Sequence, residues 1–149
     1  MKFDEQDRFL KDEYLKLQDQ YEDYDRRSLT IKGWVSAGAA AALVLGLKEQ
    51  GALGPRVWLV VGGLAICFWY LEARWKSFQY ALRPRIEALE LYFRGGSEVA
   101  PAPLQIFSAW FAEKGLGSML ARFAGAAVQD FVILPYLPIL VAAAFLYRG

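Results

Sequence analysis

The sequence predicts an all-α integral membrane helical bundle with three transmembrane helices and a long cytoplasmic antiparallel helical stalk. Three observations predict it. Charged residues make up 22% of the 149, yet they fall in blocks. Between the blocks lie three uncharged runs, 33–47, 57–71 and 131–147, of fifteen, fifteen and seventeen residues. Finally, an apolar stripe of helical spacing precedes the first run and another follows the second.

The first block, 1–32, holds seven Lys/Arg and nine Asp/Glu. Within it Phe3, Leu10, Tyr14, Leu17, Tyr21 and Tyr24 are spaced 7, 4, 3, 4 and 3. That spacing is an a/d seam, and the remaining positions are mostly charged or Gln. The segment therefore reads as a cytoplasmic amphipathic helix. An oligomerising coiled coil is one reading of the seam. Packing on another helix of the same chain is preferred, because three seam tyrosines fit a tight two-stranded zipper poorly. No basic segment opens the chain, so the first apolar run is not expected to be a cleaved signal peptide.

Residues 33–71 read as a transmembrane helical hairpin. A span needs about 20 mostly apolar residues. Leu29, Thr30 and Ile31 extend the first run, and Lys32 can snorkel. Trp69, Tyr70 and Trp75 form an aromatic belt at one end of the second. Gly51, Gly54 and Pro55 mark the turn between the helices. Gly33, Ser36, Ala37, Ala40 and Ala41 form a stripe of small residues that permits close helix approach. That stripe suits a contact with the second span near Gly62 and Gly63, a subunit interface, or a pore lining. Cys67, the only cysteine, reads as a small buried apolar residue.

Residues 72–94 continue the second helix into the cytoplasm. Trp75, Phe78, Leu82, Ile86, Leu89 and Phe93 form its stripe, and Glu72 and Lys76 stand as a favourable i,i+4 pair. Pro84 is expected to kink the helix, and Gly95-Gly96 to end it. This block carries five bases and three acids, opposite in sign to the first, so the two stripes are expected to pack as a stalk. Its ion pairs are expected to add little, and the aromatic seam most of the free energy.

Residues 95–130 read as a linker followed by interfacial or amphipathic helices. Leu104, Ile106, Phe107, Trp110 and Phe111 make a short apolar face, suited to the headgroup plane or to the stalk. Gly115-Leu116-Gly117 breaks it, and 118–129 suits a further helix. Residues 131–147 read as the third transmembrane helix, with Asp130 as its N-cap or first-turn acid. Pro135 and Pro138 interrupt its hydrogen bonding, either as a gate or as a plain kink.

Orientation follows from Lys and Arg. With the N-terminus cytoplasmic and the C-terminus outside, fourteen lie inside and three outside. A bacterial inner membrane suits the short loops. The absence of histidine and the single cysteine exclude His-based metal sites, Ser-His-Asp and Cys-His catalysis, and a disulfide scaffold. The net charge of +1 gives no reason to expect nucleic acid as a partner. With no phosphate loop, H-E-x-x-H or G-x-S-x-G, neither enzymatic activity nor a cofactor is expected. The spans carry no central charge, which counts against coupled transport but leaves a simple oligomeric pore open.

The stretch Tyr21-Glu22-Asp23-Tyr24-Asp25-Arg26-Arg27-Ser28-Leu29-Thr30 leads into the first run, and Phe68-Trp69-Tyr70-Leu71-Glu72-Ala73-Arg74-Trp75-Lys76 leads out of the second. In this layout the chain resembles small bacterial multi-span membrane proteins, and residues 1–94 resemble the two-span SLATT effector modules of bacterial conflict systems. The third run lies outside such a module. The resemblance implies a membrane-disrupting or pore-forming effector released by a cytoplasmic signal. The expected function is a homo-oligomeric channel-like or effector protein controlled through its cytoplasmic helices. A non-conducting scaffold that docks a cytosolic partner and a subunit of a larger complex are the alternatives. Expected partners are the lipid bilayer, further copies of the chain, and a cytosolic protein or small-molecule signal at the stalk.

Overall fold

Two long helices carry the architecture. A computed structural model describes residues 5–48, 56–97, 99–110 and 115–148, and every element among them is a helix. The helices are α1 (Glu5–Lys48), α2 (Arg56–Phe93), α3 (Ile106–Trp110), α4 (Leu116–Ala127), α5 (Asp130–Ile133) and α6 (Leu137–Arg148). At 1.5 Å per residue α1 is about 66 Å long and α2 about 57 Å, each well beyond an apolar bilayer core of about 30 Å. Phe3, Phe111 and the expected turn at Gly51, Gly54 and Pro55 lie outside the described residues.

α1 and α2 pack antiparallel along one register. It runs from Asp7 beside Tyr92, through Glu13 beside Arg85 and Asp25 beside Lys76, to Val35 and Ala65 in a shared cluster. The buried positions on α1 repeat every seven residues: Leu10, Leu17, Tyr24, Ile31. Ala65, Glu72, Gln79 and Ile86 repeat likewise on α2. A seven-residue period keeps one face on the partner helix over many turns. The seam of the charged half closes as Leu10, Leu17, Tyr24, Leu82, Ile86 and Leu89, with Tyr14, Tyr21, Trp75 and Phe78 against it. The seam is therefore intrachain along its whole described length.

One expected seam residue is displaced. Phe93 faces out, and Tyr92 packs on the core instead, donating its hydroxyl to Asp7 at 2.9 Å. The cause is spacing: from Leu89, a step of three returns to the seam in the last turn, and a step of four overshoots it. The helix then ends as expected. Gly95 takes φ +77°, and the amides of Gly95 and Gly96 bond back to the carbonyls of Tyr92 and Leu91, a Schellman closure that favours glycine. Pro84 lies on the exposed side of an unbroken α2, where the carbonyl of Tyr80 that loses its helical donor can be hydrated.

The remaining elements pack around α2. Ile106 and Trp110 of α3 join the stalk core, and Trp110 meets Phe78 edge-on at 5.9 Å, so α3 is a stalk helix on that side. Phe107 on its other side is exposed. α4 begins at Leu116 after an extended Gly115, so the expected break falls at Gly115 and Gly117 lies within the helix. α6 runs antiparallel to α2. Tyr136 stands at Glu72, Ala143 at Gly62, and Tyr147 and Arg148 line a groove with Trp58 and Leu59.

With their apolar halves, α1 and α2 are each a helix long and apolar enough, by length and composition, to cross a membrane. Only 17% of each apolar window is buried inside the chain, so these halves face outward. The 131–147 run is not one helix. It divides into the four-residue α5 and the twelve-residue α6, with a turn through Leu134, Pro135 and Tyr136 between them.

Two predictions follow from the seam. Leu17→Ala removes a fully buried side chain and is expected to cost about 2–5 kcal/mol of stability, whereas Leu15→Ala, half exposed on the same helix, should change it by less than about 0.5 kcal/mol. Thermal denaturation in detergent reads both, and equal losses would place the seam elsewhere. Burial, the largest influence on both, holds the Tyr21 and Tyr24 phenols above the ordinary value near 10. The neutral phenol is thus favoured by folding. Its contribution is complete below about pH 10 and is lost as pH climbs through the folded-state values. Stability should fall above about pH 10, less steeply in Tyr21→Phe/Tyr24→Phe, and identical alkaline profiles would remove this cause.

Candidate functional site

The apolar seam gives way to a polar one where the charged and uncharged halves meet. Glu72 is the first charged residue after the uncharged run of α2, and its heptad position turns it into the α1–α2 contact with no solvent exposure. A buried carboxylate is costly unless its oxygens are satisfied. Three donors from two other elements satisfy it. Ser28 and Lys32, one turn apart on α1, both reach Oε1, the lysine at 2.9 Å. The Tyr136 hydroxyl, from the turn before α6, donates to Oε2 at 2.8 Å. Ser28 and Tyr136 are themselves buried.

A second layer lies one turn further along the stalk. The Lys76 ammonium pairs with Asp25 and donates to Gln79 Oε1 at 2.8 Å. Gln79 Nε2 in turn donates to the backbone carbonyl of Tyr21 at 2.8 Å. The ring of Phe131, from α5, lies beneath both lysines, 5.4 Å from Lys32 Nζ and 4.8 Å from Lys76 Nζ. Two lysines and two carboxylates thus balance in a closed cluster that joins α1, α2 and the α5–α6 segment. The expected Glu72–Lys76 pair is not what forms. Each residue points along the seam to a partner on α1, Glu72 to Ser28 and Lys32 and Lys76 to Asp25.

A third cluster holds the linker. Arg85 and Glu13 form a buried two-point pair at 2.8 and 3.0 Å. Arg85 also donates to the Ala102 carbonyl at 2.7 Å, and Glu13 Oε2 accepts the Leu104 amide at 2.8 Å. Leu104 sits at φ +62°, a conformation costly for a branched side chain, and this bond helps to hold it there. The ion pairs between the halves are not surface pairs: Lys32–Glu72, Lys76–Asp25 and Arg85–Glu13 each bury at least one partner.

The small-residue stripe lies elsewhere. Gly33, Ser36, Ala37, Ala40 and Ala41 are all exposed, and the contact with α2 is made by Ile31 and Val35. The stripe is not the contact between the two long helices. Of the glycines opposite, Gly62 lies against Ala143 and Leu140 of α6, and a Cβ at Gly63 would meet nothing within 4 Å. Cys67 is exposed, not buried. Pro135 falls in the turn between α5 and α6, and Pro138 in the first turn of α6, where a missing N–H costs nothing. Asp130 is a first-turn acid of α5 whose Oδ1 accepts the Phe131 amide at 2.9 Å, and Gln129 takes the N-cap position. Among the described residues no group of three or more His, Cys, Asp and Glu is placed to hold a metal ion.

Sequence reading stopped the α1 seam at Tyr24. Its second row, Tyr14 and Tyr21, continues at sevenfold spacing to Ser28 and Val35, and following it would have placed Ser28 opposite α2. Nothing in the spacing pointed to Tyr136.

Glu72→Gln leaves the ammonium of Lys32 without its carboxylate and is expected to cost about 2–3 kcal/mol, and Tyr136→Phe about 1–3 kcal/mol. Because both act on one carboxylate, the double variant should cost clearly less than the two losses added together. Additive losses in denaturation would show that the two side chains are not coupled. Comparison with known protein families, with curated proteins and with solved structures yields no match.

Proposed function

We propose that the chain is a non-enzymatic integral membrane protein acting as a homo-oligomeric channel-like or membrane effector, controlled through its cytoplasmic helices. In this reading it sits in a bacterial inner membrane with three crossings, the N-terminus cytoplasmic and the C-terminus outside. The observation that carries it is continuity. α1 and α2 each run unbroken from the charged half into the apolar half. A displacement of the stalk therefore reaches the apolar ends with no loop between to absorb it. The Glu72 junction passes the same displacement to the C-terminal segment through Tyr136.

Lipid is the occupant that suits the outward apolar halves, since 17% burial of each window leaves most of that surface to be covered. The third crossing is supported by α6, which accompanies the uncharged run of α2 from Glu72 to Trp58. The exposed stripe of Gly33, Ser36, Ala37, Ala40 and Ala41 is free for close approach by a second copy. Pro135 and Pro138 would shape a gate at the start of α6. The scaffold alternative loses ground because the stalk aromatics Tyr14, Tyr21, Tyr24, Trp75 and Phe78 are engaged within the chain. The SLATT resemblance points the same way, toward an effector released by a cytoplasmic signal.

The test is the mass of the purified protein in nanodiscs, followed by ion flux through liposomes containing the same sample. A defined oligomer that conducts is the expected result. Ala37→Leu should abolish the oligomer and the flux together while leaving the protomer folded. A monomer without flux, in the wild type and across added cytosolic extracts, would sink the channel reading.

A further inference from the structure

α4 inverts the usual arrangement of a helix docked on a protein in water. Such a helix turns apolar residues inward and charge outward. The only charged residue of α4 is Arg122, which is partly buried, with its Nε shielded from solvent. Outward stand Leu116, Met119 and Leu120, the first 73% and the last 58% exposed. The positions of Ala121, Ala124 and Gly125 complete an outer face without a polar side chain.

The level at which α4 docks is set by contacts at its C-terminal end. Trp69 donates its indole N–H to the Ala127 carbonyl at 3.0 Å, Tyr70 meets Phe123 with ring centres 5.4 Å apart, and Ala73 clusters with Ala127 and Val132. These α2 residues bracket Leu71, where its uncharged run ends. Leu71, Val128, Phe131 and Leu134, close in sequence to these docking residues, are exposed as well, with Asp130 the one charged side chain exposed among them, so apolar surface continues from the outer face of α4 toward the long helices.

We propose that α4, packed on α2, is embedded in the membrane, its Leu116, Met119 and Leu120 face in the acyl layer of the stalk-side leaflet. The partner of this surface is lipid. The inference rests on the membrane reading above and adds an element that the sequence placed outside the three crossings. Peripheral amphipathic helices commonly add outward Lys or Arg and bind anionic lipid through them. The outer face of α4 has none, so its embedding is independent of headgroup charge. The helix then braces the base of the stalk sideways, at the level of the Glu72 junction.

The full-length chain with Cys67→Ala, which removes the only cysteine, accepts single nitroxide labels at exposed positions. Leu120→Cys tests α4, Leu64→Cys reports the uncharged run of α2 and Leu15→Cys reports the stalk; all three native side chains are at least half exposed. Each protein is placed in phosphatidylcholine vesicles, with and without an anionic phospholipid. Power saturation compares accessibility to oxygen and to a water-soluble nickel chelate. The expected result is a label at 120 that matches the label at 64, open to oxygen and closed to nickel, in both vesicle types, with the label at 15 the reverse. A label at 120 open to nickel while that at 64 is closed would overturn the α4 proposal and leave the membrane reading standing. Labels at 120 and 64 both open to nickel would overturn both. A label at 120 closed to both reagents, with cysteines at 120 that cross-link between copies, would replace lipid with a subunit interface.

Discussion

Glu72 has no contact with solvent, and most of the architecture can be read as the consequence. A buried carboxylate needs donors, and α2 supplies none of those it uses. Ser28 and Lys32 bring α1 to a fixed height, and Tyr136 brings the C-terminal segment to the same point. A heptad seam alone would not fix that height. Its apolar rows repeat, so a slip of seven residues would still bury leucine and tyrosine against isoleucine and tryptophan. The same slip would set Glu72 against Tyr21 or Val35 and strand its charge. The Arg85–Glu13 pair imposes the same penalty at another level, since the slip would set Arg85 against Gln6 or Gln20. The polar contacts thus select one register among several that the apolar contacts would accept.

This division of labour changes how the ion pairs are valued. Exposed pairs contribute little because water screens them and side chains lose freedom in forming them. Pairs with a fully buried partner lose hydration instead, and their attraction roughly offsets that loss. Neither case adds much net stability, so the aromatic and aliphatic seam still carries the stalk. What burial adds is the cost of a mismatch. Lys76 illustrates it: an i,i+4 bond to Glu72 would satisfy it locally, but only Asp25, across the interface, also fixes α1 against α2.

Periodicity made the long helices legible. Two stripes of helical spacing, blocks of charge and a pair of glycines defined α1, α2, the stalk and the end of α2 within a residue or two. The failures came where periodicity was read only through apolar residues. Ser28 and Glu72 occupy seam positions but are polar, so a search for apolar stripes stepped over them. Phe93 looked apolar enough to be seam and Tyr92 less so, although the helix geometry of the last turn favours Tyr92. Of the readings of the small stripe, the contact with α2 is the one the fold does not use, for a related reason. Small residues permit close approach but do not attract, and Ile31 and Val35 offered α2 more surface to bury. The division of the 131–147 run was invisible to hydropathy because both halves are equally apolar.

That division has a local cause with a distant effect. Pro138 can sit without penalty only in the first turn of a helix, so it sets where α6 begins. Pro135 precedes it by three residues and lies in the turn that separates α5 from α6. The turn between them carries Tyr136 fully into the core beside Ile31, Val35 and Ala65, within reach of Glu72. One turn earlier, α5 lays Phe131 under Lys32 and Lys76. An uninterrupted helix from Asp130 onward would space residues 131 and 136 five apart on one cylinder, about 140° apart around its axis, and could not aim both at the same cluster. The interruption is therefore what lets one short segment close both layers of the junction. The prolines act on the long helices through the position of a tyrosine.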